Sequence, residues 1–285
     1  MRLGVTGMIP GDFNVDDKLA RRIVELGFTG VGAHWTQPLD ALTPAVRQRF
    51  LAALEQQGLQ LVQFWGLYPS IISPDEQVRQ TGVRTVREIV KIGAELGAAM
   101  VGVRPTSLNP RGDWWPHPDN YAPETEDRLV RSLRDIAAAC EIHGIPIALE
   151  CHVTTTLNSA EGVRRIVERT ESTWVKVNMD PVNYVRDLHA AYHTTELIHH
   201  LFDVLGPYVA SAHIKDLYLE DRLVVHISET VPGTGILDFD TFFRRFEALL
   251  PDGYAIVEHL PESLIPQAAA FVIQKLADLN ITIRR

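Results

Sequence analysis

A (β/α)8 barrel, folded as a single domain over residues 1–285, is the fold class this sequence predicts. Strand-like and helix-like patterns alternate from end to end, and eight such pairs fill the 285 residues. No composition shift or low-complexity segment marks a second domain. Eight βα units of this length close into a barrel more readily than they form an open sheet.

The strand candidates are Arg2–Thr6, Gly30–His34, Gln60–Trp65, Met100–Arg104, Pro146–Cys151, Trp174–Asp180, Val209–Ile214 and Tyr254–His259. Each is short, apolar or β-branched, and bounded by polar loop residues. Amphipathic stretches with helical spacing separate them: Val15–Leu26, Pro44–Gln57, Glu76–Leu96, Glu124–Ile142, Ala160–Glu168, Thr195–Leu205, Phe239–Leu249 and Pro261–Leu279. Thr43, Ser159 and Asp238 stand where N-cap side chains belong. Glycine follows helix ends in LGF, QGL, LGA and HGI, where a left-handed residue turns the chain toward the next strand. Two connections are long: Pro105–Pro123, with PRGDWWPHPDNY, and Lys215–Leu237, with VPGTG. Both follow a strand's C-terminal end, so both are predicted to overhang the barrel mouth; the alternative is a plain surface excursion.

Composition narrows the function. The chain is 46% hydrophobic and 22% charged, with a formal net charge of −9. That balance argues against a nucleic-acid partner, because replacing counterions on phosphate needs a basic surface. Cys140 and Cys151, the two cysteines, make no disulfide framework and suit a reducing compartment. The opening MRLGVTGMIPGDF has no apolar leader core, and no stretch reaches membrane-span length, so a cytoplasmic protein without membrane contact is expected.

The chemistry collects at four strand ends. Glu150, Asp180, His213 and Glu258 close or follow PIALE, VKVNMD, VASAHIKD and YAIVE. Strand C-termini are where a barrel presents its functional groups. Three carboxylates and one imidazole meeting there suit one divalent ion, manganese first, with magnesium, cobalt or zinc as alternatives. Simpler roles exist: Asp180 opens a DP turn, and His213 could be a satisfied core histidine. Asn183, Asp216 and His152 are candidates to support the ligands. Alternation from Asp180 puts Asn178 and Lys176 on the inward face, where a lysine needs an anion unless a bulge turns it outward.

The order of motifs LGFTGVGAHW, PIALECH, VNMDPVN, AHIKD and VPGTGILDFD resembles the xylose isomerase-like TIM-barrel superfamily over nearly the whole chain. The resemblance implies a metal held by Glu150, Asp180, His213 and Glu258. It also implies proton transfer by Glu150 and Glu258 as the catalytic pair, a small sugar or polyol as substrate, and a homo-oligomer, dimer or tetramer. Its activities include ketose epimerases and isomerases, inosose dehydratase and endonuclease IV. The chain departs from the epimerase pattern at Asn183, where those enzymes carry His, and at Thr156, where they carry Glu. No Arg stands soon after His213, the nearest being Arg222, and HIKD is more similar to inosose dehydratase.

Around the ligands, His34, Trp65, Arg104, Trp115, His152, Asn183 and Lys215 are candidate substrate-binding residues. Indole rings stack on sugar C–H faces, so a tryptophan-rich mouth suits a polyol. The alternatives are packing for Trp35 and Trp65, a subunit contact for Trp114 and Trp115, a plain ion pair for Arg104 and a solvated rim for Lys215. The leading expectation is a metal-dependent isomerase or epimerase of a keto sugar, working through an enediolate. The runner-up is a lyase that dehydrates or cleaves a cyclic keto-polyol or 3-keto-glycoside. An endonuclease IV-like phosphodiesterase and a non-catalytic sugar-binding barrel rank below these.

Overall fold

Eight strands pair in parallel around a closed ring in the computed structural model, which describes residues 1–285. In chain order the elements are β1 (Arg2–Val5), α1 (Asp17–Glu25), β2 (Gly30–His34), α2 (Pro44–Glu55), β3 (Gln60–Trp65), α3 (Glu76–Glu95) and β4 (Met100–Val103). There follow α4 (Pro123–His143), β5 (Ile147–Glu150), α5 (Ala160–Thr170), β6 (Val175–Met179), α6 (Leu188–Tyr192), α7 (Thr194–Leu205) and β7 (Val209–Ile214). The chain ends with β8 (Asp216–Leu219), β9 (Ile227–Thr230), α8 (Phe239–Leu249), β10 (Tyr254–Val257) and α9 (Ile265–Asp278). The ring runs β1, β10, β7, β6, β5, β4, β3, β2 and closes on β1. The predicted (β/α)8 barrel is the fold observed.

The N-caps read from sequence form as written. Thr43 Oγ1 accepts from Val46 N, Ser159 Oγ from Gly162 N and Asp238 Oδ1 from Thr241 N, each satisfying an otherwise orphaned helix donor. Outward strand residues such as Val101, Leu149 and Val177 pack beneath the helices in one large core. A second apolar cluster, Val62, Met100, Ala148, Tyr254 and Ile256, fills the base of the barrel's interior. Those five residues reach only partway up, and the upper interior is polar.

Two bulges set that change. In the β2–β3 register, Val31 pairs with Leu61 and Gly32 with Gln63, so Val62 is the extra residue. In the β6–β7 register, Val177 pairs with Val209 and Asn178 with Ser211, so Ala210 is extra. A bulge shifts the alternation of side chains by one. Val62 and Gln63 therefore both face inward, as do Ala210 and Ser211. Below the bulges the interior is apolar; above them it carries Gln63, Ser211 and Asn178. The bulge lies on the β7 side, and β6 keeps its phase. Lys176 pairs with Ala148 and so faces inward at the base, where it is half-buried.

The two long connections do gather at the strands' C-terminal side, and the second differs from a plain loop. Residues 216–230 fold into the antiparallel hairpin β8–β9. Buried Asp216 anchors it: Oδ1 accepts from Leu217 N and Leu237 N, and Oδ2 from Gly233 N and Gly235 N, all at 2.8–3.0 Å. Thus the aspartate of HIKD holds the glycines of VPGTG. A Cβ on Gly235 would lie 2.1 Å from Leu217 O, so the approach demands glycine there.

Asp216→Asn replaces an acceptor with a donor facing two glycine N–H groups. The substitution is expected to cost about 3 kcal/mol in urea denaturation and to open the 216–237 segment to limited proteolysis. A native midpoint and native proteolytic pattern would refute the anchor.

Candidate metal centre

Four consecutive strands of the ring, β5, β6, β7 and β10, bring the four predicted ligands together. Glu150 is the last residue of β5, Asp180 and Glu258 follow β6 and β10 directly, and His213 is the penultimate residue of β7. One ligand atom from each lies within 4.8 Å of the others, and all four side chains are buried. His213 Nδ1 stands 2.8 Å from Glu258 Oε1, 3.6 Å from Glu150 Oε1 and 3.9 Å from Asp180 Oδ2. Asp180 serves the turn read from sequence, Oδ1 accepting from Val182 N, and its Oδ2 faces the cluster.

A cation fits this donor set. His213 Nδ1, Asp180 Oδ2 and Glu258 Oε1 are fully buried and have no aligned hydrogen-bond partner. Buried polar atoms left in this way are costly unless something binds them. Their lone pairs converge on shared space, as metal ligands do. Lys215 completes the charge: its Nζ lies 2.8 Å from Glu258 Oε1 and 2.9 Å from Asp180 Oδ2. One ammonium and one divalent ion balance three carboxylates, with His213 neutral.

The electrostatics of the protein alone follow from burial and proximity. Burial opposes charging His213, but the carboxylates of Glu258 and Glu150 outweigh it and raise the imidazole to about 10. Burial pushes Asp180 up to about 6 against the pull of Lys215. Glu258 goes the other way: His213 and Lys215 overcome burial and hold it well below the ordinary carboxylate range. Lys215 stays charged for the reciprocal reason, the attraction of Asp180 and Glu258 overcoming burial.

Lys215 is a buried member of the site and not a rim lysine, being only 3% exposed. Its Nζ donates to Asn183 Oδ1 at 3.1 Å, and Asn183 Nδ2 donates to Glu150 Oε1 at 3.4 Å. Asn183 therefore links two charged groups across the site. Half-exposed Glu229, on β9, approaches Lys215 Nζ at 3.5 Å and pairs with His259, whose φ of 57° is left-handed and strained for a histidine. The hairpin thereby reaches the cluster.

On the opposite wall, His34 and Trp65 stack in parallel planes, centroids 5.3 Å apart. His34 keeps an exposed edge at the mouth, yet the crowding of side chains around its ring depresses it to about 4 despite Glu258 and Glu150, leaving it neutral at neutral pH. His152 is also held neutral, chiefly by burial; its Nδ1 is engaged by Thr154 Oγ1 at 2.7 Å and its ring meets the edge of Trp114. Trp115, by contrast, is exposed and packs under the Arg111 guanidinium, so Trp114 is the indole that touches a site residue. Trp35 is core, packed edge-on against Phe13. Arg104 spends its donors on Asp113 Oδ2 and Gly66 O and lies over the Tyr68 ring, a clamp on the fourth loop.

Gln63, Asn178 and Ser211, directly beneath the ligands, are not distinguishable as site residues in the sequence, because they meet one another only across the closed barrel. A cavity of about 330 Å³ opens beside the cluster, lined by Lys215, Tyr218, Glu229, Glu258, His259 and Leu264 among others. A larger one, about 700 Å³, lies at the base around Arg2, Gln60 and Tyr254 and touches none of the ligands. The smaller cavity is the relevant one, since Glu258 and Lys215 of the cluster line it.

Known proteins share this architecture. The chain is 24% identical over 272 residues to inosose dehydratase of Geobacillus kaustophilus (strain HTA426), covering 87% of this chain and 81% of that protein. A xylose isomerase-like TIM-barrel protein from Mycobacterium smegmatis, solved with magnesium, superposes with a TM-score of 0.75 at 18% identity, covering 98% of this chain and 96% of that one. A 3-keto-D-glucoside 4-epimerase from E. coli superposes with a TM-score of 0.72 at 20% identity, covering 99% of this chain and all of that one (100%). Residues 20–275 match the family described as xylose isomerase-like TIM barrel. The chain belongs to that family.

Proposed function

We propose that this protein is a divalent-metal-dependent isomerase or epimerase that removes a proton beside the carbonyl of a keto sugar or polyol. One observation carries the reading: Glu150 and Glu258 face the same cation point from strands three places apart in the eight-stranded ring. Two carboxylates so placed can act on different faces of one substrate carbon. The family supports an enzyme of sugar chemistry, and the oxygen-rich donor set with one imidazole favours Mn²⁺, with Mg²⁺, Co²⁺ or Zn²⁺ as alternatives.

Bound there, the ion would polarise the carbonyl and offset the charge that develops on its oxygen. Glu258 takes the α-proton on a carboxylate oxygen; Glu150, after taking up a proton from water, delivers it to the other side of the carbon, and Glu258 passes its own proton back to water to restore the starting state. Asn183 steadies Glu150 through its Nδ2–H. Lys215 offers a charged N–H to a substrate oxygen beside Glu258. Neutral His34 and the Trp65 ring wall the mouth opposite, and His152, its Nδ1 tied to Thr154, turns the rest of its ring to a sugar hydroxyl. The 330 Å³ cavity between hairpin and barrel admits a small polyol.

Lys215 favours a second reading, dehydration. Eliminating a β-hydroxyl needs a proton for the leaving oxygen, and a charged ammonium 2.8 Å from the base can supply it. Epimerisation needs no third proton carrier. The likeness to an inosose dehydratase supports this alternative.

Incubating the Mn²⁺-loaded protein with ketoses and inososes in deuterated water separates the two readings by NMR. Deuterium in an epimer or aldose marks the first; an unsaturated product marks the second; no exchange with any of them counts against both. Glu258→Gln is expected to lower turnover by about 10²–10⁴-fold, and unchanged kcat removes it as base. Lys215→Met should abolish elimination yet leave deuterium exchange, whereas loss of both together would give Lys215 no separate part. Because His213 is protonated up to about pH 10 and must be neutral to bind metal, Mn²⁺ binding at pH 7–9 is expected to release a proton and to tighten about tenfold per pH unit. Calorimetry in buffers of different ionisation enthalpy checks this; pH-independent affinity would refute it.

A further inference from the structure

Beneath the ligands lies a polar chain that the proposed reaction does not use. Trp65 Nε1 donates to Gln63 Oε1 at 3.2 Å. Gln63 Nε2 donates to Asn178 Oδ1 and to Ser211 Oγ, both at 3.0 Å, and Ser211 Oγ donates to Asn178 Oδ1 at 2.6 Å. The same Gln63 Oε1 lies 3.1 Å from His213 Nε2. All five side chains are buried to 98% or more.

The direction of every bond follows from the one group whose role is not negotiable. An amide can be reversed, and an imidazole can carry its proton on either nitrogen, but an indole N–H only donates. The atom it meets must therefore be the amide oxygen of Gln63. That oxygen carries no hydrogen, so at 3.1 Å His213 Nε2 must be the donor. With one proton held on Nε2, the proton that His213 gives up to a cation is the one on Nδ1, whose lone pair then joins Glu150, Asp180 and Glu258 at the shared point. Reversing the amide would set two N–H donors against each other at Trp65. It would also set an N–H donor against His213 Nε2, moving the ring proton to Nδ1, where it would block the cation.

Trp65 is itself held in place. Its ring occupies the space over Gly102, where a Cβ would stand 2.1 Å from an indole carbon, and its other face carries His34. The β3 bulge at Val62 sets the phase that brings Gln63 and Trp65 inward together.

We infer that Trp65 and Gln63 are positioning residues that lock His213 in the Nε2–H form and so set Nδ1 as the metal ligand. The inference rests on the cation reading above. Partners that orient a ligating imidazole through its second nitrogen contribute about 10–100-fold to metal affinity.

The test uses metal affinity and the imidazole itself. Co²⁺ titration of the Gln63→Leu variant is expected to show binding weakened about 10–100-fold, with the thermal midpoint confirming a folded chain. In the Zn²⁺-loaded protein, long-range ¹H–¹⁵N correlation of His213 should show a single form, protonated at Nε2; Gln63→Leu should lose that uniformity. Gln63→Glu, which keeps an acceptor in the same place, should restore it. Native Co²⁺ affinity with a single Nε2–H form in Gln63→Leu would overturn the lock. Should Gln63→Leu fail to fold, Trp65→Phe decides, since it keeps an aromatic ring there but has no N–H to donate: unchanged affinity and an unchanged His213 spectrum overturn the proposal. A native protein that takes up no Co²⁺ overturns the cation reading first, before any variant is compared.

Discussion

Three carboxylates buried within 4.8 Å of one imidazole nitrogen are the constraint on which the rest of the upper barrel depends. Like charges taken out of water repel strongly, and such a group persists only if cations answer it. The protein supplies Lys215 and, until a metal displaces its proton, the His213 imidazolium. The charged cluster governs what may surround it: Asn183 between Glu150 and Lys215, Glu229 and His259 at the edge, and neutral imidazoles at His34 and His152.

Beneath it the barrel is divided by height. The base is filled by Val62, Met100, Ala148, Tyr254 and Ile256, which need only volume and apolar surface. The layer of Gln63, Asn178 and Ser211 needs hydrogen-bond accounting, since each donor left over inside would cost free energy. Two bulges separate these layers, allowing one strand to face the base with valine or alanine and the ligands with glutamine or serine. Above the mouth, the hairpin β8–β9 is held by Asp216 through four backbone N–H groups, so the element nearest Lys215 is pinned one residue away from it.

Legibility in the sequence tracked the range of the interaction involved. Strands, helices and caps depend on neighbours a few residues away, and Thr43, Ser159 and Asp238 act as their positions foretell. Strand ends point into a barrel's mouth whatever the details, so Glu150, Asp180, His213 and Glu258 could be singled out. Counting alternate residues from Asp180 placed Lys176 and Asn178 correctly because β6 keeps its phase. Counting back from His213 and Trp65 likewise turns Ser211 and Gln63 inward, since the extra residues Ala210 and Val62 lie below them, but no count tells that these side chains meet Asn178 across the barrel. Nor does local sequence tell a buried Lys215 from a rim lysine, or a clamping Arg104 from a substrate-binding one: the difference lies in Asp180, Glu258 and Asp113, brought near by the fold.

Periodicity and turn chemistry by themselves determined an eightfold βα repeat and the positions of three acids and one imidazole at its strand ends. Only the closed ring decided that these side chains share one point, that the HIKD aspartate grips the VPGTG glycines, and that an indole N–H dictates the proton on His213. The physical reason is that backbone preference is local and survives in the order of residues. Charge balance and donor–acceptor pairing, by contrast, are properties of atoms that meet only after the chain has closed on itself.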